Sequence, residues 1–138
     1  MGNLKTTIAL LCAVSIAGET VNANPNVVTY NCSDVVLTGK LTNWRDYEHF
    51  DIPDDILGHG WMTATLRVSK ILKGQNADSK ITVRYFGHTY LRDNTKFLFV
   101  LKPLSDGRYR IISQRMTKQK PKLADTCESA QQEQFVTN

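Results

Sequence analysis

The fold is decided by WMTATLRVSKIL, which occupies residues 61–72 of the 138-residue chain. Apolar side chains stand at every second position from Met62 to Val68, and polar side chains fill the positions between them. This two-residue period is typical of a β-strand with one face buried and the other in water. Lys73-Gly74 follows as a turn signal. The stretch therefore predicts one long, half-buried strand.

Four further segments read as strands because apolar and β-branched residues alternate between turn signals. They occupy residues 34–41, 80–86, 95–101 and 108–113. The run at 95–101 is almost continuously apolar, which predicts a central, buried strand. Gly39 inside the first strand predicts a bulge, and Asp106-Gly107 predicts a hairpin turn. A basic connector at residues 118–122 and a short helix over residues 126–135 are expected to follow.

Five strands of this length with one long first connection fit a small all-β Greek-key barrel of the OB type. An open sandwich of two sheets is the alternative. Apolar residues make up 41% of the chain and charged residues 22%, so collagen-like, low-complexity and wholly disordered chains are excluded. A chain of this length has room for one hydrophobic core, which excludes a multi-domain enzyme.

Residues 1–23 have the pattern of a secretory signal. Lys5 supplies the positive charge, residues 8–14 are apolar, and Val21-Asn22-Ala23 resembles a cleavage site. The apolar run is too short to cross a bilayer, which takes roughly 20 residues. A buried N-terminal helix is the alternative. We therefore expect a single mature domain at 24–138 that is secreted or periplasmic and has no membrane span.

Two cysteines, Cys32 and Cys127, remain after Cys12 leaves with the signal. An even number of cysteines in an exported chain predicts a disulfide, and two free thiols are the alternative. Asn31-Cys32-Ser33 matches a glycosylation sequon, which matters only in a eukaryotic secretory pathway.

Three motifs in order resemble a known family. They are CSDVVLTGK at residues 32–40, LRVSKILKG at 66–74 and FLFVL at 97–101. The chain from about Cys32 to Cys127 is in this respect similar to the inhibitory domain of tissue inhibitors of metalloproteinases and to the wider netrin-like family, with its bacterial relatives. The resemblance implies an OB-type barrel and a Cys32–Cys127 disulfide. The animal inhibitors begin with a zinc-binding cysteine, whereas the expected mature terminus here is Asn24. A zinc-chelating wedge is therefore not implied.

The connection over residues 42–60 is the predicted binding site, because long loops in compact domains often carry function. Its aromatic and imidazole side chains are the candidate partner-binding residues, namely Trp44, Tyr47, His49, Phe50 and His59, with Trp61 just after the loop. Aromatic side chains bordered by acidic ones suit docking of a protein or a glycan. In the resembled family the equivalent connection contacts the target enzyme. The alternative is that Trp44 and Trp61 pack as core at the barrel end.

No catalytic or metal-binding pattern emerges from the sequence. His49, Asp51, Asp54, Asp55 and His59 have the right chemistry for a divalent ion, but their spacing matches no known ligand pattern. The chain has no G-x-S-x-G elbow and no phosphate loop, and a disulfide would remove both thiolates. We therefore predict a protein without metal, cofactor or catalytic residues.

The formal net charge of +4 indicates a second kind of partner. Basic residues outnumber acidic ones outside the loop, at Lys70, Lys73, Lys80, Arg84, Arg92, Arg108, Arg110, Arg115, Lys118, Lys120 and Lys122. The function we predict is an exported non-catalytic binding module that acts on a protein target, with an enzyme inhibitor as its narrower form. The alternative is binding of an oligosaccharide or polyanion, such as an anionic glycan, by the basic barrel face. Export argues against nucleic acid.

Overall fold

The computed structural model describes residues 26–75 and 78–127. These residues form eight β-strands and one 3-10 turn, with no α-helix among them. The strands are β1 (Val27–Tyr30), β2 (Val35–Asn43), β3 (Glu48–His49), β4 (Gly60–Lys73), β5 (Lys80–Gly87), β6 (Lys96–Pro103), β7 (Tyr109–Met116) and β8 (Lys122–Asp125), and the 3-10 turn is Thr117–Gln119. The signal predicted over residues 1–23 lies outside the described residues.

All five predicted strands are confirmed as β2, β4, β5, β6 and β7, with ends that differ by a few residues. They lie in the order β2-β6-β7-β5-β4, and β4 pairs back onto β2. The sheet is therefore a closed five-stranded barrel with the Greek-key strand order of an OB-fold. Closure through β2 and β4 excludes the open sandwich.

Gly39 lies in the middle of β2, where it is opposite Val68 of β4 on one side and Phe97 of β6 on the other. The register between β2 and β4 shifts at Thr38/Gly39, which confirms the predicted bulge. A Cβ atom on Gly39 would lie 2.5 Å from the carbonyl oxygen of Arg67 and 2.9 Å from Cδ1 of Leu66. The glycine therefore lets two backbones approach closely where the barrel bends.

The pairing of β5 with β7 closes the other side of the barrel and is much shorter than the rest. It is parallel, and only Val83 and Arg84 of β5 have partners, which are Tyr109 and Arg110 of β7. By contrast, the antiparallel pairing of β4 with β5 runs from Gly60 to Arg67. We call the β5–β7 pairing the seam.

Strand β6 explains the continuous apolar run in the sequence, because both of its faces are covered. Phe97, Phe99 and Leu101 belong to the core inside the barrel. Leu98 and Val100 belong to a second apolar cluster on the outside of the barrel. That cluster also takes in Val28 and Tyr30 of β1, Val36 of β2 and the partly buried Leu72 and Leu123. The predicted central burial of this strand is confirmed.

The two ends of the described chain meet in a parallel pair, β1 with β8, which we call the strap. Val27 pairs with Lys122 and Tyr30 with Asp125. The predicted Cys32–Cys127 disulfide is present beside it, with the two Cα atoms 5.3 Å apart. The connector predicted at 118–122 overlaps the end of the 3-10 turn and the first residue of β8. The short helix expected over 126–135 is not seen among the described residues, and positions 128–135 of its predicted range lie outside them.

Candidate functional site

The loop over residues 44–59 is an ordered extension of the barrel sheet. Its strand β3 pairs with the start of β4, Glu48 opposite Trp61 and His49 opposite Gly60. The backbone N–H of Phe50 donates to the carbonyl of His59 at 3.0 Å and continues this ladder. The loop is thus a short hairpin that stands on β4, and a rigid base positions its side chains.

Asp55 holds the tip of this hairpin together. Its carboxylate accepts the backbone N–H groups of Leu57 at 3.2 Å, Gly58 at 3.1 Å and His59 at 2.6 Å. It also lies 2.9 Å from Nδ1 of the His59 ring. The His59 backbone N–H, followed by the His59 ring, lowers the pKa of Asp55 from 3.8 to about 2. Tyr47 adds a second tie, since its hydroxyl donates to the carbonyl of Gly58.

The base of the loop rests on a polar network at the barrel end. The side-chain amide of Asn43 donates to the carbonyl of Leu91 at 2.7 Å and to Oδ1 of Asp93 at 2.6 Å. The Tyr85 hydroxyl donates to Oδ1 of Asn43 and accepts the backbone N–H of Leu91. Burial raises the pKa of Tyr85, so its hydroxyl keeps the proton that this network needs. These hydrogen bonds therefore hold the first residues of the loop in place on the barrel.

The tip of the loop presents large apolar side chains to solvent. Ile56 is 96% exposed and Leu57 is 60% exposed, and Ile52 and Phe50 are exposed beside them in the sequence. Exposed apolar side chains are ordinary when scattered, but several within eight residues of one ordered loop make a candidate interaction surface. We call Phe50, Ile52, Ile56 and Leu57 the apolar tip.

An aromatic cluster joins the loop to the outer face of the barrel around Phe86 of β5. The ring of His59 stacks on Phe86 with centroids 5.7 Å apart. The rings of Phe50 and Trp61 meet Phe86 edge to face at 6.1 Å and 5.3 Å. The cluster holds the base of the apolar tip in place, because the hydrogen bond from the backbone N–H of Phe50 to the carbonyl of His59 lies at that base.

Trp61 also contacts two cations. The guanidinium carbons of Arg84 and Arg110 lie 5.2 Å and 5.3 Å from its ring centroid, within the range of cation–π attraction. Arg84 forms an ion pair with Glu48 at 2.7 Å. An open groove of about 540 Å³ runs beside this cluster, where β5 and β7 separate beyond the seam, and its walls include His59, Phe86, His88, Ile112 and Gln114.

Of the six predicted partner-binding residues, the structure brings Phe50, His59 and Trp61 together around Phe86. Trp44 is 56% exposed and its indole N–H donates to Oγ1 of Thr65 at 2.8 Å. Trp61 is half-buried on the outside of the barrel. Packing of these two tryptophans as barrel core is therefore wrong. Tyr47 and His49 support the loop, with ring centroids 6.2 Å apart.

Sequence reasoning missed most of the apolar tip. Ile52, Ile56 and Leu57 were not among the predicted site residues, nor was Phe86 of the aromatic cluster. Arg84 and Arg110 were singled out only for the basic barrel face. An Ile-Leu pair inside an Asp- and Gly-rich loop was the available signal, since such a loop has little core in which to bury it.

The acidic and imidazole side chains of the loop do not converge. Asp55 meets His59, but within residues 26–75 and 78–127 no group of three or more His, Cys, Asp or Glu side chains is placed to hold a metal ion. In the same residues, no helix is long and apolar enough to cross a membrane.

Comparison with protein-family models, with curated proteins and with solved structures finds no match for this chain.

Proposed function

We propose that this protein is a non-catalytic binding module that docks a protein partner through the apolar tip. The observation that carries the proposal is the 96% exposure of Ile56 beside Leu57 in a loop whose backbone is held by hydrogen bonds and by strand pairing. Large apolar side chains held in water lose the free energy of burial, roughly 1.5–3 kcal/mol for each Ile or Leu. Docking into an apolar pocket would recover that free energy.

The fixed backbone of the loop supports a role in binding, because it keeps the apolar side chains from folding back onto the barrel. The three N–H groups on Asp55, the Tyr47–Gly58 hydrogen bond and the β3–β4 pairing fix the backbone before any partner arrives. A preorganised loop loses little conformational entropy on association. The loop therefore has the character of a recognition element.

The charges around the tip indicate the chemistry of the partner. Asp51 and Asp54 are exposed next to Ile52 and Ile56, and neither carboxylate forms an ion pair with another described residue. Acidic groups on the rim of an interface favour a partner with basic groups around its apolar pocket. Inhibition is the narrower form of the proposal, in which that pocket is the substrate cleft of an enzyme and the hairpin blocks it.

The proposed place of action is outside the cytoplasm, either secreted or periplasmic. The Cys32–Cys127 disulfide supports this, because disulfides persist in oxidising compartments. The pattern at residues 1–23 also supports export, with cleavage proposed near Ala23.

The test is affinity capture from secreted and periplasmic extracts, followed by titration of the identified partner by calorimetry. We expect a discrete protein that stays bound at high salt and whose affinity falls at least about tenfold with the double variant Ile56→Ser, Leu57→Ser. The matched control is Ile71→Ser, which removes a partly exposed isoleucine of β4 far from the loop. Equal loss of binding in both variants, or retention in both, would refute docking through the tip.

A further inference from the structure

The strand registers place four cations side by side across the barrel, on four adjacent strands. Lys80 of β5 lies opposite Arg67 of β4, Arg67 lies opposite Lys40 of β2, and Lys40 lies opposite Lys96 of β6. All four side chains are exposed. We call Lys80, Arg67, Lys40 and Lys96 the cation row.

All four side chains point away from the barrel interior. Directly opposed residues of an antiparallel pair share a face of the sheet, and successive residues alternate between faces. Each cation is adjacent in its strand to a residue whose side chain points to the opposite face of the sheet. These adjacent residues are buried in the core, namely Leu41, Leu66, Ile81 and Phe97. Adjacent strands lie about 4.8 Å apart, so the row carries four positive charges over roughly 14 Å of the outer surface.

This arrangement is costly for the folded protein. Like charges directly opposite each other on neighbouring strands destabilise a sheet. None of the four cations forms an ion pair with a described residue, since the ion pairs of the structure involve Arg45, His59, Arg84 and Arg108. The row therefore has no anion of its own among residues 26–75 and 78–127, and an external anion would relieve the repulsion.

The row ends in a basic cleft. A shallow cavity of about 360 Å³ opens at Lys96 and is lined by two further cations, Arg92 and Lys118, together with Thr95, Met116 and Thr117. No acidic side chain contributes to its wall. The cleft extends the positive surface beyond β6, so a ligand that follows the row would reach a second set of cations.

Hydroxyl groups and one indole border the row. Thr42, Thr65 and Thr82 are themselves opposite one another on β2, β4 and β5, two residues along from the cations. The exposed indole of Trp44 donates to Thr65. A polar surface with an exposed indole at its edge suits a sugar chain. Single-stranded nucleic acid is bound instead by successive aromatic rings along the groove, which this surface lacks in its described part.

We infer that the cation row, with its basic cleft, binds a linear anionic polysaccharide whose sulfate or carboxylate groups pair with the four cations. This goes beyond protein docking and uses a different surface. Along β4, Arg67 lies six residues from Trp61, which corresponds to about 20 Å. The two surfaces are therefore far enough apart to be altered separately.

The test uses the full, oxidised chain and two probes, dextran sulfate and polygalacturonate, with the fluorescence of Trp44 and Trp61 as readout. We expect the double variant Lys40→Gln, Arg67→Gln to weaken binding by roughly fivefold for each charge, or about 25-fold. The matched control is Lys102→Gln, Lys122→Gln, which removes the same charge from β6 and β8 outside the row. Lys40→Arg keeps the charge and should bind as the unaltered chain does.

The comparison of the two probes identifies the anionic group. Tighter binding of dextran sulfate assigns sulfate, and tighter binding of polygalacturonate assigns carboxylate. Binding should also fall steeply with salt, and less steeply for the row variant, because fewer counterions are displaced.

Three results would overturn the inference. Equal weakening by the row variant and its control would mean that net charge alone attracts the probes. Absence of binding to both probes would show that the cation row does not bind anionic polysaccharides. Row-dependent binding of oligothymidylate, or of phosphatidylglycerol vesicles, that exceeds both polysaccharides would assign the row to nucleic acid or to a membrane surface. Circular dichroism on each variant checks that the barrel is intact.

Discussion

At the scale of single residues, Gly39 shows how closely two strands approach where the barrel closes. A methyl group there would meet the Arg67 carbonyl and the Leu66 side chain at distances below normal contact. We expect Gly39→Ala to lower the free energy of unfolding by about 1–3 kcal/mol, because the β2–β4 pairing must move apart. Urea denaturation followed by circular dichroism measures this change.

The matched control for Gly39 is Gly87→Ala at the end of β5. A Cβ atom there would lie 3.4 Å from Cε of Met62, the flexible end of a side chain. We expect a change within about 0.5 kcal/mol. If Gly39→Ala were as mild as Gly87→Ala, close approach at the bulge would not be what requires a glycine.

The cation row also belongs to this scale, and it shows what a sequence withholds. Lys40, Arg67, Lys80 and Lys96 are far apart along the chain, and only Lys80 was among the basic residues singled out from the sequence. The register between strands brings them together, and register is set by turns and bulges that the alternation of residues does not specify. Chemistry that depends on register therefore needs the structure.

At the scale of elements, the hairpin over residues 44–59 depends on the charge of Asp55. Its pKa is about 2 in the folded protein against an ordinary value of 3.8, so the ionised form is favoured by the fold. The stabilisation is complete above pH 3.8 and is lost as the pH falls towards 2. We expect the amide resonances of Gly58 and His59 to shift in that range in an NMR titration.

Two variants separate this event from general acid unfolding. Asp55→Asn removes the titrating group but keeps one acceptor oxygen, so the shift in that pH range should disappear. Asp54→Asn alters the neighbouring carboxylate, which accepts none of these three N–H groups, and should behave as the unaltered chain does. An unchanged titration in Asp55→Asn would contradict the assignment to Asp55.

The long strands were predictable from the sequence and the short ones were not. Strands β4 and β6 show their burial in the order of their residues, through alternation in one and a continuous apolar run in the other. By contrast, β3 has two residues, and β8 reads Lys-Leu-Ala-Asp, which has no strand pattern. These elements exist because another strand offers them hydrogen bonds, as β4 does for β3 across the hairpin and β1 does for β8 from the other end of the described chain.

The candidate binding site followed the same division. The aromatic and imidazole side chains of the loop were singled out by residue type, and the structure brings two of them, Phe50 and His59, onto Phe86. Ile52, Ile56 and Leu57 of the apolar tip were missed because an aliphatic side chain is buried by default in sequence reasoning, and the 96% exposure of Ile56 is a property of the folded loop alone.

At the scale of the whole molecule, the Cys32–Cys127 disulfide closes a loop with a sequence separation of 95 residues. In the chain-entropy model such a bridge contributes roughly 4–5 kcal/mol by restricting the unfolded chain. The strap lies beside it and is a two-stranded pair, which is marginal by itself. We expect the double variant Cys32→Ser, Cys127→Ser to lose most of this stability in urea denaturation.

Hydrogen exchange then distinguishes loss of the strap from loss of the barrel. Amides of Val28–Tyr30 and Leu123–Asp125 should exchange much faster in the double variant. Amides of β4 should still exchange only as fast as global unfolding of that variant allows. Faster exchange of β4 with an unchanged strap would show that the bridge acts on the barrel directly.

The short seam between β5 and β7 is where we expect the barrel to open locally most often. Two residue pairs are all that joins these strands, and the groove begins where they part. Tyr85 and Ile111 line both that groove and the barrel interior. We therefore expect water to reach the core here first when the sheet loosens, and to reach Phe99 and Leu37, on the paired strands β6 and β2, last. Local opening of the barrel is therefore expected between β5 and β7, the side that carries the aromatic cluster.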